Sequence, residues 1–289
     1  MDVSSLEIHM KSVLWIVAVG GLISCLLRGE EIPPEKFKKL KELYAQAHSH
    51  SVEKSYDKSN EVLKELLSLL PGKEPIDVNR ARVHYDMACN FSLLGKKTDA
   101  IDSLNHAVES GFWDHDFLTK DSTLKDLWGE KSFKELTEKC RRALAEMAFG
   151  LKDISGKVID KKDYKDKVLI LDVWGTWCPP CRKEIPHFVK LQEKYRDKGL
   201  RIIGLNWERR APDESIRKSV EAFAQDNKMN YPLALLSESL LGAIPNFEGF
   251  PTTFFIGKDG LIADRVLSEH EYSELEAIVV TLLEQKEKK

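Results

Sequence analysis

The sequence Asp172-Val173-Trp174-Gly175-Thr176-Trp177-Cys178-Pro179-Pro180-Cys181-Arg182-Lys183-Glu184-Ile185-Pro186 organises the C-terminal half of this chain. An apolar run at residues 168–171 comes before it and is typical of a buried strand. After the cysteines, apolar residues recur at helical spacing until Gly199, which is a helix stop signal. The pattern therefore places two cysteines, separated by two residues, where a strand ends and a helix begins. That is the Cys-x-x-Cys redox arrangement in its expected structural context.

The two cysteines are suited to a two-step exchange of disulfide bonds. Cys178 would lie at the helix N-terminus, where unpaired backbone N–H groups and the helix dipole stabilise a thiolate. Cys181, one turn further along, would attack the resulting mixed disulfide and release the substrate. The usual division leaves one sulfur exposed and the other buried. Because Pro179 and Pro180 lack N–H groups, the N–H of Cys181 is a main stabiliser of the thiolate.

Two carboxylates stand close to the cysteines in the sequence. Asp172 ends the apolar strand, and Glu184 lies three residues after Cys181 on the same helix face. A buried carboxylate has a raised pKa and is suited to accept the proton of Cys181. A negative charge nearby also disfavours the thiolate, so both effects destabilise the reduced form and favour a reductase. For Glu184, a solvated position on the helix is the alternative.

Composition argues against several other classes of function. The 289 residues are enough for about two domains. The net charge of −3 provides no general basic surface, so we expect no nucleic-acid partner. Structural zinc needs four ligands, and the five cysteines include only one close pair. Haem attachment needs a histidine where Arg182 stands. We therefore expect no metal and no cofactor.

Two stretches resemble the active site of thioredoxin-fold proteins. Trp177-Cys178-Pro179-Pro180-Cys181, followed by Pro186, is similar to their redox motif. Gly249-Phe250-Pro251-Thr252-Thr253 resembles their cis-proline loop, which faces the two sulfurs and binds substrate backbone. The resemblance covers about residues 149–285. It implies a redox disulfide between Cys178 and Cys181, and a substrate-binding surface formed by Trp177, Phe250, Pro251 and Thr252.

The C-terminal domain is most similar to the exported TlpA/ResA type of thiol–disulfide oxidoreductase. Trp174-Gly175-Thr176-Trp177 precedes the first cysteine, and an extra strand and helix come before the cis-proline. In that type Glu184 matches a functional glutamate. Asp172 matches the buried aspartate of thioredoxin itself, whereas ResA-like members can have a neutral amide there. The resemblance thus implies four catalytic residues (Cys178, Cys181, Glu184 and Asp172), a disulfide-bearing protein substrate and an upstream thiol electron donor.

Residues 149–289 form the predicted thioredoxin-like α/β domain. Strands are expected at 168–173, 200–205, 233–236, 252–256 and 261–267, and helices at 178–198, 214–228, 238–244 and 272–285. Alternating strands and helices predict a mostly parallel sheet covered on both faces.

Residues 32–148 read as an all-α domain. The series Met87-Ala88, Phe91, Gly95, Ala100-Ile101, Leu104 and Ala107 resembles a tetratricopeptide unit, and an earlier segment around residues 47–71 matches less well. A generic helical bundle is the alternative. Repeat arrays of this kind bind other proteins, so we expect a protein partner for this domain. Cys89 and Cys140 fall at apolar positions, either as buried small residues or as a disulfide.

Residues 1–29 read as a signal or anchor segment. An apolar run at 13–27 follows Lys11, and it is short for a spanning helix. Leu22-Ile23-Ser24-Cys25 resembles a bacterial lipobox, which implies lipidation of Cys25. An uncleaved anchor helix and a plain cleaved signal are the alternatives. All three predict an extracytoplasmic location, periplasmic or in the cell envelope, and the first two a tether to the membrane.

Three functions are consistent with these features. The leading one is an exported, membrane-tethered thiol–disulfide oxidoreductase that reduces protein disulfides. The second is a repeat-based adaptor whose redox pair acts as a switch. The third is a thiol peroxidase on the same fold, but Trp174 to Cys178 does not supply the Pro-x-x-x-Thr/Ser-x-x-Cys pattern on which that class relies.

Overall fold

The computed structural model describes residues 33–70 and 76–285, which divide into two compact units. The first runs from residue 33 to Cys140 and also includes Glu238–Pro245. The second comprises Arg141–Ser237 and the described residues from Asn246 onward. The segment 1–29, with Cys25, lies outside the described residues. Within those ranges, no helix is both long enough and apolar enough to span a bilayer.

The first unit is helical, as predicted. Its helices are α1 (Pro34–Val52), α2 (Tyr56–Leu69), α3 (Val78–Leu93), α4 (Lys97–Glu109) and α5 (His115–Lys120), followed by a 3-10 turn (Ser122–Leu127) and by α6 (Lys131–Ala148), which continues into the second unit.

Neighbouring helices of this unit pack in sequence order, α1 on α2, α2 on α3 and α3 on α4. Ala88, Ala100 and Ala107 are fully buried, so α3 and α4 approach closely. Gly95 forms the turn between these two helices with φ +73°, a conformation that glycine adopts without steric cost. The assignment of the helices to tetratricopeptide repeats stays a prediction, as does a domain boundary at residue 149.

Cys89 and Cys140 are buried free thiols. The alternative of a disulfide between them was therefore wrong. Each thiol has its own polar neighbour: Cys89 Sγ donates to Asp121 Oδ2 at 3.6 Å, and Cys140 Sγ lies 3.9 Å from the carbonyl oxygen of Phe112. Burial raises the pKa of Cys140 to about 12, so it stays protonated at neutral pH.

The second unit is built on one five-stranded sheet. Its strands are β1 (Val168–Trp174), β2 (Leu200–Asn206), β3 (Leu233–Leu235), β4 (Thr252–Ile256) and β5 (Ile262–Leu267), in the order β3-β2-β1-β4-β5. Its helices are α7 (Pro179–Tyr195), α8 (Glu214–Asp226) and α10 (Tyr272–Glu284), whereas the short helix α9 (Glu238–Ala243) belongs to the first unit.

The sheet is mixed, and the expectation of a mostly parallel sheet was wrong. β1 pairs with β2, and β2 with β3, in parallel, but β1 with β4, and β4 with β5, are antiparallel. β4 and β5 are joined by a tight turn that ends at Gly260 (φ +77°). A turn this short joins only antiparallel neighbours, because parallel strands need a crossover of a dozen or more residues.

One face of β1 packs under the helices of the second unit. Ile170 and Trp174 belong to a cluster with Phe188 of α7, Val220 of α8 and Val279 of α10. Asp172 lies between them in the strand, so the alternation of side chains directs it to the same face. A carboxyl group therefore enters the apolar layer under α7.

Candidate active site

The two cysteines lie at the start of α7, where the sequence predicted them. Cys178 is the N-cap residue, and its Sγ accepts the N–H of Cys181 at 3.3 Å. The two sulfurs form a disulfide with an S–S distance of 2.06 Å. Both residues are buried, each 2% exposed, rather than one exposed and one buried. The difference arises because both belong to the hydrophobic cluster against which Trp177 and Phe250 pack.

The cis-proline loop (residues 249–253) lies beside the redox loop (residues 175–178) because of strand pairing. The peptide bond between Phe250 and Pro251 is cis, as the resemblance implies. Thr252 begins β4 and is paired with Val173 near the end of β1. The hydroxyl of Thr252 donates to the carbonyl of Gly249 at 2.6 Å, which closes the loop on itself. The antiparallel register therefore brings the start of β4 to the strand end that leads into the cysteines.

Asp172 and Glu184 are both 1% exposed. Burial, and next the charge of Glu184, raise the pKa of Asp172 well above its usual range. Burial also raises the pKa of Glu184 to about 7, although the N–H of His270 donates to its Oε1 at 3.1 Å and opposes the shift. The charge of Glu269 raises it further. The alternative of a solvated Glu184 was therefore wrong.

Glu208 was not found by sequence reasoning. Its carboxylate accepts the backbone N–H and the hydroxyl of Thr176, each at 3.0 Å, and the side-chain amide of Asn206 at 3.0 Å. The N–H of Trp207 donates to the carbonyl of Trp174 at 2.8 Å. The segment after β2 thus holds the loop that leads to Cys178. The topology could have indicated Glu208, because it follows the carboxyl end of β2, and the carboxyl ends of neighbouring parallel strands meet at one edge of the sheet.

An aromatic cluster forms beside the disulfide. Phe250 stacks on Trp207 with centroids 5.5 Å apart, and it meets Trp177 and Phe247 edge to face at 5.0 Å each. The guanidinium of Arg209 lies 4.3 Å from the centre of the Trp177 ring. Trp177, Phe247 and Phe250 are partly exposed, so apolar surface is available next to the cysteines.

Comparison with known proteins agrees with this geometry. A family model described as the AhpC/TSA family matches residues 144–265. The thiol–disulfide oxidoreductase ResA of Bacillus cereus is 34% identical over 128 residues, which span 44% of this chain and 70% of that protein. This chain belongs to the ResA family of thiol–disulfide oxidoreductases.

Further similarities cover the same part of this ResA-family chain. The thioredoxin-like protein YneN of Bacillus subtilis is 36% identical over 116 residues, 40% of this chain and 65% of that one. A solved structure of a thiol:disulfide interchange protein from Chlorobium tepidum aligns with a TM-score of 0.41 and 24% identity, over 46% of this chain and 90% of that chain.

The ResA-family domain thus has the predicted thioredoxin-like fold and is an oxidoreductase. The structure assembles the proposed catalytic and substrate-binding residues of this domain in one region, namely Cys178, Cys181, Asp172, Glu184, Trp177, Phe250, Pro251 and Thr252. Among the described residues, no group of three or more His, Cys, Asp and Glu side chains could hold a metal ion.

Proposed function

We propose that this protein is an exported, membrane-tethered reductase that passes two electrons from Cys178 and Cys181 to a disulfide of a protein substrate. The observation that supports a reducing role is the pair of buried carboxylates, Asp172 and Glu184, on the strand and helix that flank the cysteines. The pKa of Glu184, raised to about 7, suits proton acceptance near neutral pH, and the pKa of Asp172 is raised in the same direction.

The proposed reaction has two steps. The thiolate of Cys178 attacks one sulfur of the substrate disulfide, and the other substrate sulfur leaves as a thiolate and takes up a proton. Cys181 then gives its proton to a buried carboxylate, and its sulfur attacks Cys178. The bond between Cys178 and the substrate breaks, and the second substrate sulfur leaves as a thiolate that takes the proton from the carboxylate, so the substrate leaves as a dithiol and the enzyme keeps the disulfide. Two electrons and two protons have passed to the substrate.

The substrate surface in this proposal comprises Trp177, Phe250, Pro251 and Thr252. Thr252 is the first residue of the strand that pairs with β1, and Pro251 comes directly before it, so their backbone lies at the end of β1 that leads to the cysteines. Trp177 and Phe250 contribute the exposed part of the aromatic cluster. An extended substrate segment with an apolar residue next to its cysteine fits this combination of backbone and aromatic surface.

The decisive measurement is the reduction potential of the Cys178/Cys181 pair in the full-length chain in detergent. The protein is equilibrated with reference thiol couples, and its reduced fraction is measured by alkylation and mass spectrometry. A potential near or below about −270 mV, that of thioredoxin, supports a reductase. A potential near −120 mV, as in strong oxidants, contradicts the reducing role and favours disulfide formation. The Cys178→Ser/Cys181→Ser variant is the control for other thiols.

Export and tethering rest on residues 1–29 alone. The proposed mature protein begins at a lipidated Cys25. Mass spectrometry of the N-terminal peptide from the membrane fraction tests this directly. An N-terminus at Cys25 with a lipid mass supports the lipoprotein. An intact N-terminus supports the anchor helix, and a soluble, cleaved chain contradicts a tether.

The helical unit is proposed to bind a protein, either the substrate or the thiol donor that returns electrons to the disulfide. Support comes from the resemblance of its helices to tetratricopeptide repeats, whose arrays form binding surfaces for other proteins. Trp128 is a large aromatic side chain of this unit and is 40% exposed. Crosslinking in intact cells to a photoreactive residue at position 128 would identify the partner. Crosslinks that form equally at position 131 on α6, also exposed, would contradict a specific surface.

The two competing functions make different predictions. A Cys178→Ser variant abolishes turnover in a reductase, whereas an adaptor keeps its partner. A peroxidase site of the pattern given above, ending at Cys178, would need proline at position 171 and threonine or serine at 175, but the chain has Leu171 and Gly175. Rapid consumption of hydrogen peroxide by the reduced protein would nevertheless overturn the reductase proposal.

A further inference from the structure

The layer around Asp172 contains an unusual number of unpaired polar atoms. Five buried side-chain atoms have no hydrogen-bond partner within the described part of the chain: Asp172 Oδ1, Trp174 Nε1, Glu184 Oε2, Tyr231 OH and Thr253 Oγ1. Buried polar groups are normally paired, so a cluster of unpaired ones at a reaction centre points to a role in the reaction. Four of these residues belong to strands or helices already described, whereas Tyr231 comes from the loop before β3.

The strand register brings Tyr231 to Asp172. Asp172 is paired with Gly204 on β2 and with Thr253 on β4. Residues paired across strands direct their side chains to the same face. A Cβ atom at Gly204 would lie only 3.4 Å from Cε2 of Tyr231 and 3.0 Å from Nε1 of Trp174. The missing side chain at Gly204 therefore leaves the space beside Asp172 that the ring of Tyr231 occupies.

The charges in this layer act on the same hydroxyl. After burial, which has the largest effect, the charges of Asp172 and then Glu184 raise the pKa of Tyr231 well above its usual range. The hydroxyl therefore keeps its proton at neutral pH and acts as a hydrogen-bond donor. Further out, Glu184 accepts the N–H of His270 and is influenced by the charge of Glu269.

We propose that Tyr231 is a positioning residue for proton transfer, and that its hydroxyl donates a hydrogen bond through one water to the carboxylate of Asp172. The inference rests on the proposed function, in which a buried carboxylate accepts the proton of Cys181. This donor stabilises the ionised form of Asp172 in an apolar layer, so that the carboxylate is available as a base. The Cys181 S–H bond then breaks and the proton moves to Asp172. An electron pair of the Cys181 sulfur forms the bond to the Cys178 sulfur. The bond between Cys178 and the substrate breaks, and the substrate sulfur leaves with its electron pair.

The test is the pH dependence of single-turnover reduction of a disulfide-bonded protein by the reduced full-length chain. Tyr231→Phe keeps the ring but removes the donor. In the plot of rate against pH, we expect the midpoint of the rise to move up by about one pH unit. The rate at neutral pH should then fall about tenfold, which is the effect of losing one charge-assisted hydrogen bond. In an Asp172→Asn background, the same change should have no further effect. An unchanged profile, or an equal shift in both backgrounds, overturns the proposal.

Two further variants separate this role from a structural one. 3-Fluorotyrosine at position 231 is a stronger donor, so it should move the midpoint down, and an unchanged or raised midpoint contradicts the inference even if Tyr231→Phe folds poorly. Tyr195→Phe removes the hydroxyl of another buried tyrosine, which donates to Glu276 at 3.0 Å, and should leave the profile unchanged. If the wild-type chain reduces no protein disulfide, the proposed function fails. If it does and Tyr231 has no effect on pH dependence, only this inference fails.

Discussion

Replacing Glu184 with glutamine should stabilise this protein at high pH and not at low pH. Glu184 is 1% exposed, and burial raises its pKa from 4.5 to about 7. Below pH 4.5 the carboxyl is mainly protonated in both the folded and the unfolded chain. Between 4.5 and 7 the unfolded chain releases the proton while the folded chain keeps it, so the free energy of unfolding falls as pH rises. Above about 7 both states are ionised, and the loss is complete.

The size of this loss follows from the shift. One pKa unit corresponds to about 1.4 kcal/mol, so a rise from 4.5 to about 7 costs the folded state about 3 kcal/mol above neutral pH. Glutamine does not titrate and keeps an oxygen that can accept the N–H of His270. The difference in unfolding free energy between Glu184→Gln and the wild type should therefore increase by about 3 kcal/mol from pH 4 to pH 8.

Urea unfolding of the disulfide form, followed by tryptophan fluorescence, measures this difference at both pH values. Glu193→Gln is the matched control, because Glu193 is exposed on the same helix. Its effect should be small and equal at the two pH values. A Glu184→Gln effect that is also equal at pH 4 and pH 8 would refute the assignment of a raised pKa to this carboxyl. A variant that becomes less stable at pH 8 would refute its sign.

The remaining predictions concern the loop, the sheet and the second cysteine. Glu208→Ala should lower the free energy of unfolding by about 2–3 kcal/mol, because three donors lose a charged acceptor; a loss below about 0.5 kcal/mol in urea titrations would contradict this. Gly204→Ala should cost about 1–3 kcal/mol, since its Cβ would lie 2.5 Å from a leucine carbon of β3. Gly249→Ala should leave the stability nearly unchanged, because no atom lies within 4 Å of the added Cβ. Calorimetry of the two variants compares their unfolding temperatures. Cys181→Ser should trap a mixed disulfide that dithiothreitol releases, as seen on non-reducing gels; multiple turnovers by this variant would disprove the two-step mechanism.

Several features of this protein could be predicted from local sequence. The apolar run before Asp172, the helical spacing after Cys181 and the turn residue Gly95 each act over a few residues, so they are visible along the chain. The cysteine pair at the start of a helix follows from the same local signals. The cis bond before Pro251 was different, because only the family resemblance implied it.

Tertiary structure decided which of these residues meet, and in what environment. Glu208 reaches the site through the pairing of β2 with β1, and Tyr231 through the pairing of β3 with β2, both contacts between residues far apart in sequence. Whether Glu184 faces solvent or the sheet depends on the packing of α7, which helical periodicity alone left open. The antiparallel pairing of β4 with β5 follows from the short turn between them, whereas that of β1 with β4 joins segments far apart in sequence. The local sequence alone therefore specified the chemistry of the cysteine pair. Its proton-accepting surroundings depend on the tertiary structure, because a carboxyl has a raised pKa only where the packed strands and helices bury it away from water.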